Sequence, residues 1–370
     1  MQATGSLYIH IPFCQKKCPY CHFFVLPNKE ELKSLFMSAL HKEWLLTKQN
    51  YNLTSPTSIY FGGGTPTKLH PKDIERILSW VLPNAPCEIT LEANPEDVTL
   101  ETMRFYRQLG INRVSVGIQS LNPQELDILG RGHSAQKTIE AIHTIYAAGI
   151  DNISIDLMYD IPYQTESSWE NTLKHIKDLP IDHLSLYNLT FEPKTSFFLN
   201  RNKWTPYLPS DEASLHMLLH AIETLESYGL KRYEISAFAK GDKRSLHNIG
   251  YWTARPFLGL GPSAHSYWNQ TRWANIAHLG KYAEALNNHI FPIDFQEKLD
   301  SRAACNELLA VNLRLLEGVH LPSFTDRHGP LPQDAINTCI HEGYLTLDEH
   351  TLKLTPHGLC FYDTVASILV

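Results

Sequence analysis

Six short apolar runs, with longer stretches of helical periodicity between them, recur through the first half of this 370-residue chain at the spacing of βα units. The runs fall at residues 7–11, 58–61, 88–92, 113–118, 152–157 and 183–189, with helices predicted between them at 29–48, 71–81, 100–109, 135–148 and 167–177. Strands joined by helical crossovers make parallel sheets with right-handed connections, and a series of them curls toward a barrel. A complete barrel needs eight units, and two are missing before residue 190. The predicted fold is therefore α/β, an incomplete (β/α)6 TIM-like barrel with one open side.

That layout gathers polar residues on one rim. A cysteine-rich loop follows the first strand and the turn Gly62-Gly63-Gly64-Thr65-Pro66 follows the second. Glu92, Gln119 and Asp156 stand at or just past the ends of the third, fourth and fifth. Barrel enzymes carry their chemistry on this rim, where loops vary while the sheet holds them in place.

The loop itself, Phe13-Cys14-Gln15-Lys16-Lys17-Cys18-Pro19-Tyr20-Cys21, packs three cysteines into eight residues. Three thiolates on one loop hold three corners of a [4Fe-4S] cube and leave the fourth iron open to a small molecule. A structural zinc site wants four closed ligands at pair-and-pair spacing. Chance clustering of buried thiols is the weaker alternative. Cys87, Cys305, Cys339 and Cys360 are scattered, read as apolar core groups, and suggest no disulfide framework. Free thiols, an oxygen-sensitive cluster and the lack of a signal peptide or long apolar segment predict a reducing, cytoplasmic setting. The first strand starts by residue 7, so no transit peptide is expected either. A net charge of −7 offers no basic footprint for a phosphate backbone, and nucleic acid is not an expected partner.

Each rim residue has a functional and a plain reading. The triple glycine lets backbone approach a ligand closely, or is an ordinary tight turn. Glu92 could pair with a ligand ammonium, or end a surface strand. Arg131, in Leu129-Gly130-Arg131-Gly132-His133, has the planar fork to hold a carboxylate, or is a solvated loop arginine. Gln119 and Asp156 suit ribose hydroxyls.

On these residues the chain resembles the radical S-adenosylmethionine superfamily, whose Cys-x3-Cys-x2-Cys loop is met by Cys14, Cys18 and Cys21. The strings Tyr8-Ile9-His10-Ile11-Pro12-Phe13-Cys14, Phe61-Gly62-Gly63-Gly64-Thr65-Pro66-Thr67, Gly117-Ile118-Gln119-Ser120 and Ile155-Asp156-Leu157-Met158-Tyr159 narrow the likeness. They are similar to the group of oxygen-independent coproporphyrinogen III oxidases and related heme chaperones, over nearly the whole chain. The resemblance implies a [4Fe-4S] cluster and S-adenosylmethionine, whose amine and carboxylate bind the open iron and whose sulfonium accepts an electron. Carried over by position, Tyr8, Gly63, Gly64, Thr65, Glu92, Gln119, Arg131 and Asp156 contact that cofactor, and Thr190 packs near its nucleoside. Phe13, Tyr20, Phe23 and Phe24 are expected to keep the cluster dry, or simply to pack the loop.

Three features bear on oxidase against chaperone. The oxidases carry a fourth cysteine two positions after the third, where this chain has Phe23, and an extension before the first strand, where it has a short stub. His247-Asn248-Ile249-Gly250-Tyr251-Trp252 matches the His-Asn-x-x-Tyr-Trp signature of the chaperones. The resemblance thus implies a heme chaperone that binds heme and delivers it to apo-hemoproteins. Homodimerisation, and peripheral membrane association through a hemoprotein partner, stay open. His247 is the candidate heme ligand, flanked by the flat faces of Tyr251 and Trp252, with His265 as a second candidate. Equally, His247 and Asn248 tie down a loop while the aromatics fill a domain junction. Two other classes remain: a radical enzyme acting on a tetrapyrrole, such as a coproporphyrinogen III oxidase, and a cluster-bearing DNA-binding regulator, which the acidic balance disfavours.

The βα rhythm stops near residue 238, giving a barrel domain at 1–237 and a second, smaller α+β domain at 238–370. A helix at 210–228 and a strand at 232–237 are placed on the barrel side. The run Gly259-Leu260-Gly261-Pro262-Ser263-Ala264 reads as a tight loop near the barrel mouth, since Pro262 argues against a dinucleotide fingerprint. Helices at 303–316 and 333–342, a hairpin at 344–354 and a last helix from 356 resemble a winged-helix module.

Overall fold

The computed structural model describes residues 5–51, 53, 55–81 and 87–370. All six expected strands form: β1 (Ser6–Ile11), β2 (Ser58–Gly63), β3 (Glu88–Ala93), β4 (Arg113–Gln119), β5 (Asn152–Tyr159) and β6 (His183–Asn188). They lie parallel, side by side in chain order. The crossovers carry α1 (Glu30–Asn50), α2 (Pro71–Val81), α3 (Leu100–Gln108), α4 (Ala135–Ala147) and α5 (Glu166–Ile176). Local chemistry sets their starts. Thr99, Ser134 and Thr165 each accept a backbone N–H of the first turn, and Thr165 forms a reciprocal capping box with Ser168. The buried stripe of α2, Ile74, Ile77, Leu78 and Val81, has the spacing of one helix face.

Every strand alternates apolar with polar residues, and the sheet sorts them. On the outer face Leu7, Ile9, Phe61, Val114, Ile155 and Leu184 are fully buried beneath the helices. The opposite face carries Ser6, Tyr8 and His10 on β1, Tyr60 on β2, Thr90 and Glu92 on β3. It continues with Arg113 and Ser115 on β4, Ser154 and Asp156 on β5, and His183 and Ser185 on β6. A parallel sheet covered on both sides reads as continuous apolar runs. Here the second side is a polar concavity.

The sheet runs further than expected. At the β6 end, after α6 (Asp211–Ser227), it gains the hairpin β7 (Lys231–Glu234) and β8 (Ala237–Ala239). A short helix α7 (Leu246–Trp252) follows, and the chain then returns to the opposite end. There β9 (Phe257–Leu260) lies parallel to β1, and β10 (His265–Trp268), β11 (Thr271–Asn275) and β12 (Ile293–Lys298) extend it antiparallel. The result is one open sheet of twelve strands, with no closed barrel among the described residues. A boundary at residue 238 would cut this sheet, because Leu258, Trp273, Tyr282 and Leu286 pack into the same core as β1 to β6.

A separate core begins after residue 299, around Leu309, Cys339, Leu352 and Val365. Its elements are α8 (Ser301–Asn312), β13 (Val319–His320), α9 (Leu321–His328), α10 (Gln333–His341), β14 (Leu345–Asp348) and β15 (Thr351–Leu354), closed by helices Pro356–Cys360 and Tyr362–Leu369. Helices with a three-stranded antiparallel sheet give the expected winged-helix-like build. This module caps one sheet edge: the Ile235 N–H donates to the Arg314 carbonyl (3.2 Å) and the Leu316 N–H to the Tyr233 carbonyl (3.1 Å). The other edge, β12, has no further strand paired to it among the described residues and carries the exposed charges Asp294, Glu297 and Lys298. Among the described residues, no helix is long and apolar enough to cross a membrane.

Candidate functional site

The cysteine loop leaves β1 and is tied down at both ends and in its middle. Phe13–Cys14 pairs in parallel with Leu26–Pro27, and the Leu26 N–H donates to the Pro12 carbonyl (2.6 Å). The Phe197 N–H donates to the Pro19 carbonyl (3.0 Å), and Nε2 of His10 to the Phe24 carbonyl (3.0 Å). Gly64 is required beside it, because a Cβ there would come within 2.7 Å of the Pro12 backbone. Cys14, Cys18 and Cys21 are half-buried free thiols. Burial pushes the Cys14 and Cys21 thiols up, and neighbouring cysteines of the loop push them further. Among the described residues no three His, Cys, Asp or Glu side chains converge on a single ion. A four-iron cube spreads its ligands more widely than one ion does, and three soft sulfur donors on one pinned loop fit it.

Polar partners surround the thiols. The Thr65 hydroxyl stands 3.5 Å from Cys14 Sγ and accepts from Asn94 Nδ2 (3.1 Å). Arg131 directs one guanidinium nitrogen to Cys18 Sγ and the Tyr20 hydroxyl, each at 3.5 Å. Its other nitrogen donates to Asn94 Oδ1 and the Gly117 carbonyl, both at 2.6 Å. The arginine expected to hold a carboxylate is thus committed to the protein, and only its buried Nε is without a partner among the described residues.

Below the loop lies the polar concavity. Tyr60 donates to Glu92 Oε1 (2.8 Å) and the Gly63 N–H to Oε2 (3.2 Å). Burial nevertheless pushes the Glu92 carboxyl up to about 7. Burial likewise pushes Asp156 up to about 6, against hydrogen bonds from Ser185 and Ser115. Two buried carboxyls reluctant to ionise alone are a ready receptor for a cation and for hydroxyl donors. Tyr8 donates to Nδ1 of His10 (3.1 Å), whose imidazole burial holds down to about 4, in the neutral form.

The structure brings Tyr8, Gly63, Gly64, Thr65, Glu92, Arg131 and Asp156 together around this space. Gln119 reaches it through a bulge in β4, with φ of 66° at the last strand residue. Asp156 sits within β5 rather than at its end, because that strand continues to Tyr159. Thr190 lies just past β6, exposed. Phe13 belongs to the core against Phe36, and Phe23 is half exposed beside His22, so neither screens the cluster as expected. Sequence reading missed Tyr60, Asn94, Arg113, Ser115 and Ser185, whose signal was the strict polar alternation within each strand.

His247 is placed differently from a waiting metal ligand. It is buried on α7 against Tyr60 (ring centres 4.8 Å apart), with Nδ1 on Ser58 Oγ (2.9 Å) and Nε2 on the Tyr251 hydroxyl (2.8 Å). Burial holds its pKa down to about 3. The Glu88 carboxylate accepts the Leu246 and His247 N–H groups (2.9 Å each) at the start of α7. At the far end, the Arg314 guanidinium stacks 4.3 Å from the Trp252 ring centre. The helix floors the concavity at one end and meets the C-terminal module at the other.

A three-cysteine loop over a polar parallel sheet is the build of a protein that holds a low-potential cluster beside a nucleoside. The family described as the radical SAM superfamily matches residues 8–176, and the HemN C-terminal domain matches residues 299–361. The heme chaperone HemW of Bacillus subtilis (strain 168) is 30% identical over 95% of this chain and 96% of its own. The mitochondrial radical S-adenosyl methionine domain-containing protein 1 of Danio rerio is 30% identical over 98% of this chain and 86% of its own. The solved coproporphyrinogen III oxidase (HemN) from Escherichia coli superposes with a TM-score of 0.87 over 100% of this chain and 90% of that one, at 22% identity, a likeness of fold. The chain belongs to the radical SAM superfamily, in the group that joins this domain to a HemN C-terminal domain. Membership implies a [4Fe-4S] cluster and S-adenosylmethionine.

Proposed function

We propose that this chain is a cytoplasmic heme chaperone, which binds heme and passes it to apo-hemoproteins. In this reading Cys14, Cys18 and Cys21 hold a [4Fe-4S] cluster and the concave face holds S-adenosylmethionine. Glu92 would take the cofactor's ammonium, with Asp156 and Gln119 toward its ribose. The observation that carries the reading is end-to-end similarity to proteins named heme chaperone HemW, at 30% identity over 95% of the chain for one of them. The Phe23 position adds support, since a half-exposed phenylalanine stands where the oxidases carry a cysteine.

The alternative, radical decarboxylation of coproporphyrinogen III, is favoured by the fold alone. Anaerobic incubation of reconstituted protein with coproporphyrinogen III, S-adenosylmethionine and reductant separates the two. The chaperone reading expects no protoporphyrinogen, together with heme uptake and transfer to an apo-hemoprotein. Turnover to protoporphyrinogen overturns it.

A further inference from the structure

The concave face does not stop at β1. Register carries it across β9, β10 and β11, where Phe257, Tyr267 and Arg272 fall in line with Ser6, and His265 lies two residues from Tyr267 on the same side. Helix α8 of the C-terminal module covers this stretch with Ala304, Leu308 and Val311, leaving a cleft of about 200 Å³. Tyr251 forms a wall of it, the residue whose hydroxyl occupies Nε2 of His247.

The turn that presents His265 is tightly built. A Cβ at Gly259 would lie 2.1 Å from the His265 carbonyl oxygen, and one at Gly261, where φ is +104°, 2.5 Å from the His10 carbonyl oxygen. The run Gly259 to Ala264 is therefore a fixed hairpin packed on β1. His265 itself is exposed, and neither ring nitrogen has a hydrogen-bond partner among the described residues. The surrounding wall lowers its pKa, which favours the neutral imidazole. Of the two arginines in the lining, Arg272 is neutralised by Glu297 and Glu307. Arg255 has no carboxylate partner among the described residues. Its Nη1 donates to the Leu246 carbonyl (3.0 Å) and Ser6 Oγ (3.3 Å), which anchors the guanidinium at the cleft and leaves Nη2 without a hydrogen bond among the described residues.

A flat apolar wall, an imidazole with a free nitrogen and a guanidinium with no carboxylate partner match three parts of one ligand class. An iron porphyrin offers an apolar ring, a metal that takes imidazole, and carboxylates that pair with arginine. We propose that this junction cleft is the heme site, with His265 as an iron ligand and Arg255 facing a propionate. The proposal rests on the heme-chaperone reading above. The cleft seats one side of a macrocycle and leaves the rest open, the arrangement from which a recipient can draw the ring away. His247, with both nitrogens taken, holds Tyr251 in place as the wall.

The test titrates reconstituted full-length protein, and its His265→Ala, His247→Ala and Ala304→Trp variants, with ferric heme and separately with iron-free protoporphyrin. His265→Ala should lose about 10- to 100-fold in heme affinity and shift the Soret band, while protoporphyrin binding holds. Ala304→Trp, which fills the cleft, should weaken both ligands. His247→Ala should keep the Soret position of the wild type. Because His265 is exposed, its variant should melt with the wild type, which keeps the comparison clean. Unchanged heme affinity and Soret band in His265→Ala overturn the cleft assignment and leave the chaperone reading standing. A wild-type protein that binds no heme overturns both.

Discussion

The two faces of the one sheet are made of opposite materials. Outward, Leu7, Ile9, Phe61, Ile155 and Leu184 vanish into a continuous core. Inward, the alternate residues of the same strands are hydroxyls, carboxyls, imidazoles and a buried arginine. The outer face supplies the apolar burial that holds the fold. The inner face departs from that economy: Thr90 Oγ1 and Arg113 Nε are buried without a partner among the described residues. Stability and chemistry are thus assigned to alternate positions of each strand, so substitutions should separate them.

The largest expected effect comes from the inner side. Cys18→Ala should abolish the broad visible absorption of a thiolate-held cluster and most bound iron, while the melting temperature moves little because the loop is only half-buried. An intact cluster in this variant would break the division. Next comes the outer side, where Ile155→Ala should cost about 2–5 kcal/mol in denaturant titration, with cluster absorption per folded molecule unchanged.

The third prediction sets one buried carboxyl from each region side by side. Burial pushes Glu92 up to about 7, and it does the same to Glu43 on α1, which accepts from Gly261, Asn275 and Tyr282. A carboxyl with a raised folded pKa holds its proton more tightly folded than unfolded. Its contribution is complete below the ordinary value of 4.5 and is lost as pH rises through about 7. Cofactor-free protein should therefore melt lower at pH 8 than at pH 5, and Glu92→Gln and Glu43→Gln should each flatten part of that slope. Added S-adenosylmethionine should flatten only the part due to Glu92. An equal response of both variants to the cofactor would contradict the assignment of Glu92. The smallest effect belongs to Thr65→Val. Losing the hydroxyl beside Cys14 should make the cluster potential more negative, read by redox titration, at a stability cost of about 1 kcal/mol.

How much of this was legible follows from how local each signal is. The six strands and five crossover helices are written in period and capping residues within each segment, so their positions were readable to within a residue or two. The cysteine loop was readable for the same reason. The extension from Phe257 to Lys298 was not, because its strands are four to six residues long, broken by Gly and Pro, and partnered by β1 from the other end of the chain. His247 shows the same limit in one side chain. Its motif suggests a metal ligand, but the partner on Nδ1 is Ser58, 189 residues away in sequence. Only the folded register reveals that the nitrogen is taken. Arg131 looked like a carboxylate clamp until Asn94 and Gly117 were seen to fill its fork.

A sheet that never closes leaves two borders, and this molecule guards them by unlike means. At β12 a row of side chains of both signs repels or hydrates any strand that would add itself, a defence carried in sequence alone. At β7 the guard is the C-terminal module, through the Glu234 to Leu315 bridge and its flanking backbone bonds. Shortened forms lacking the module would bare that second border and gain a route to sticky, filament-like self-association. The module thereby spares that border from taking up a foreign strand.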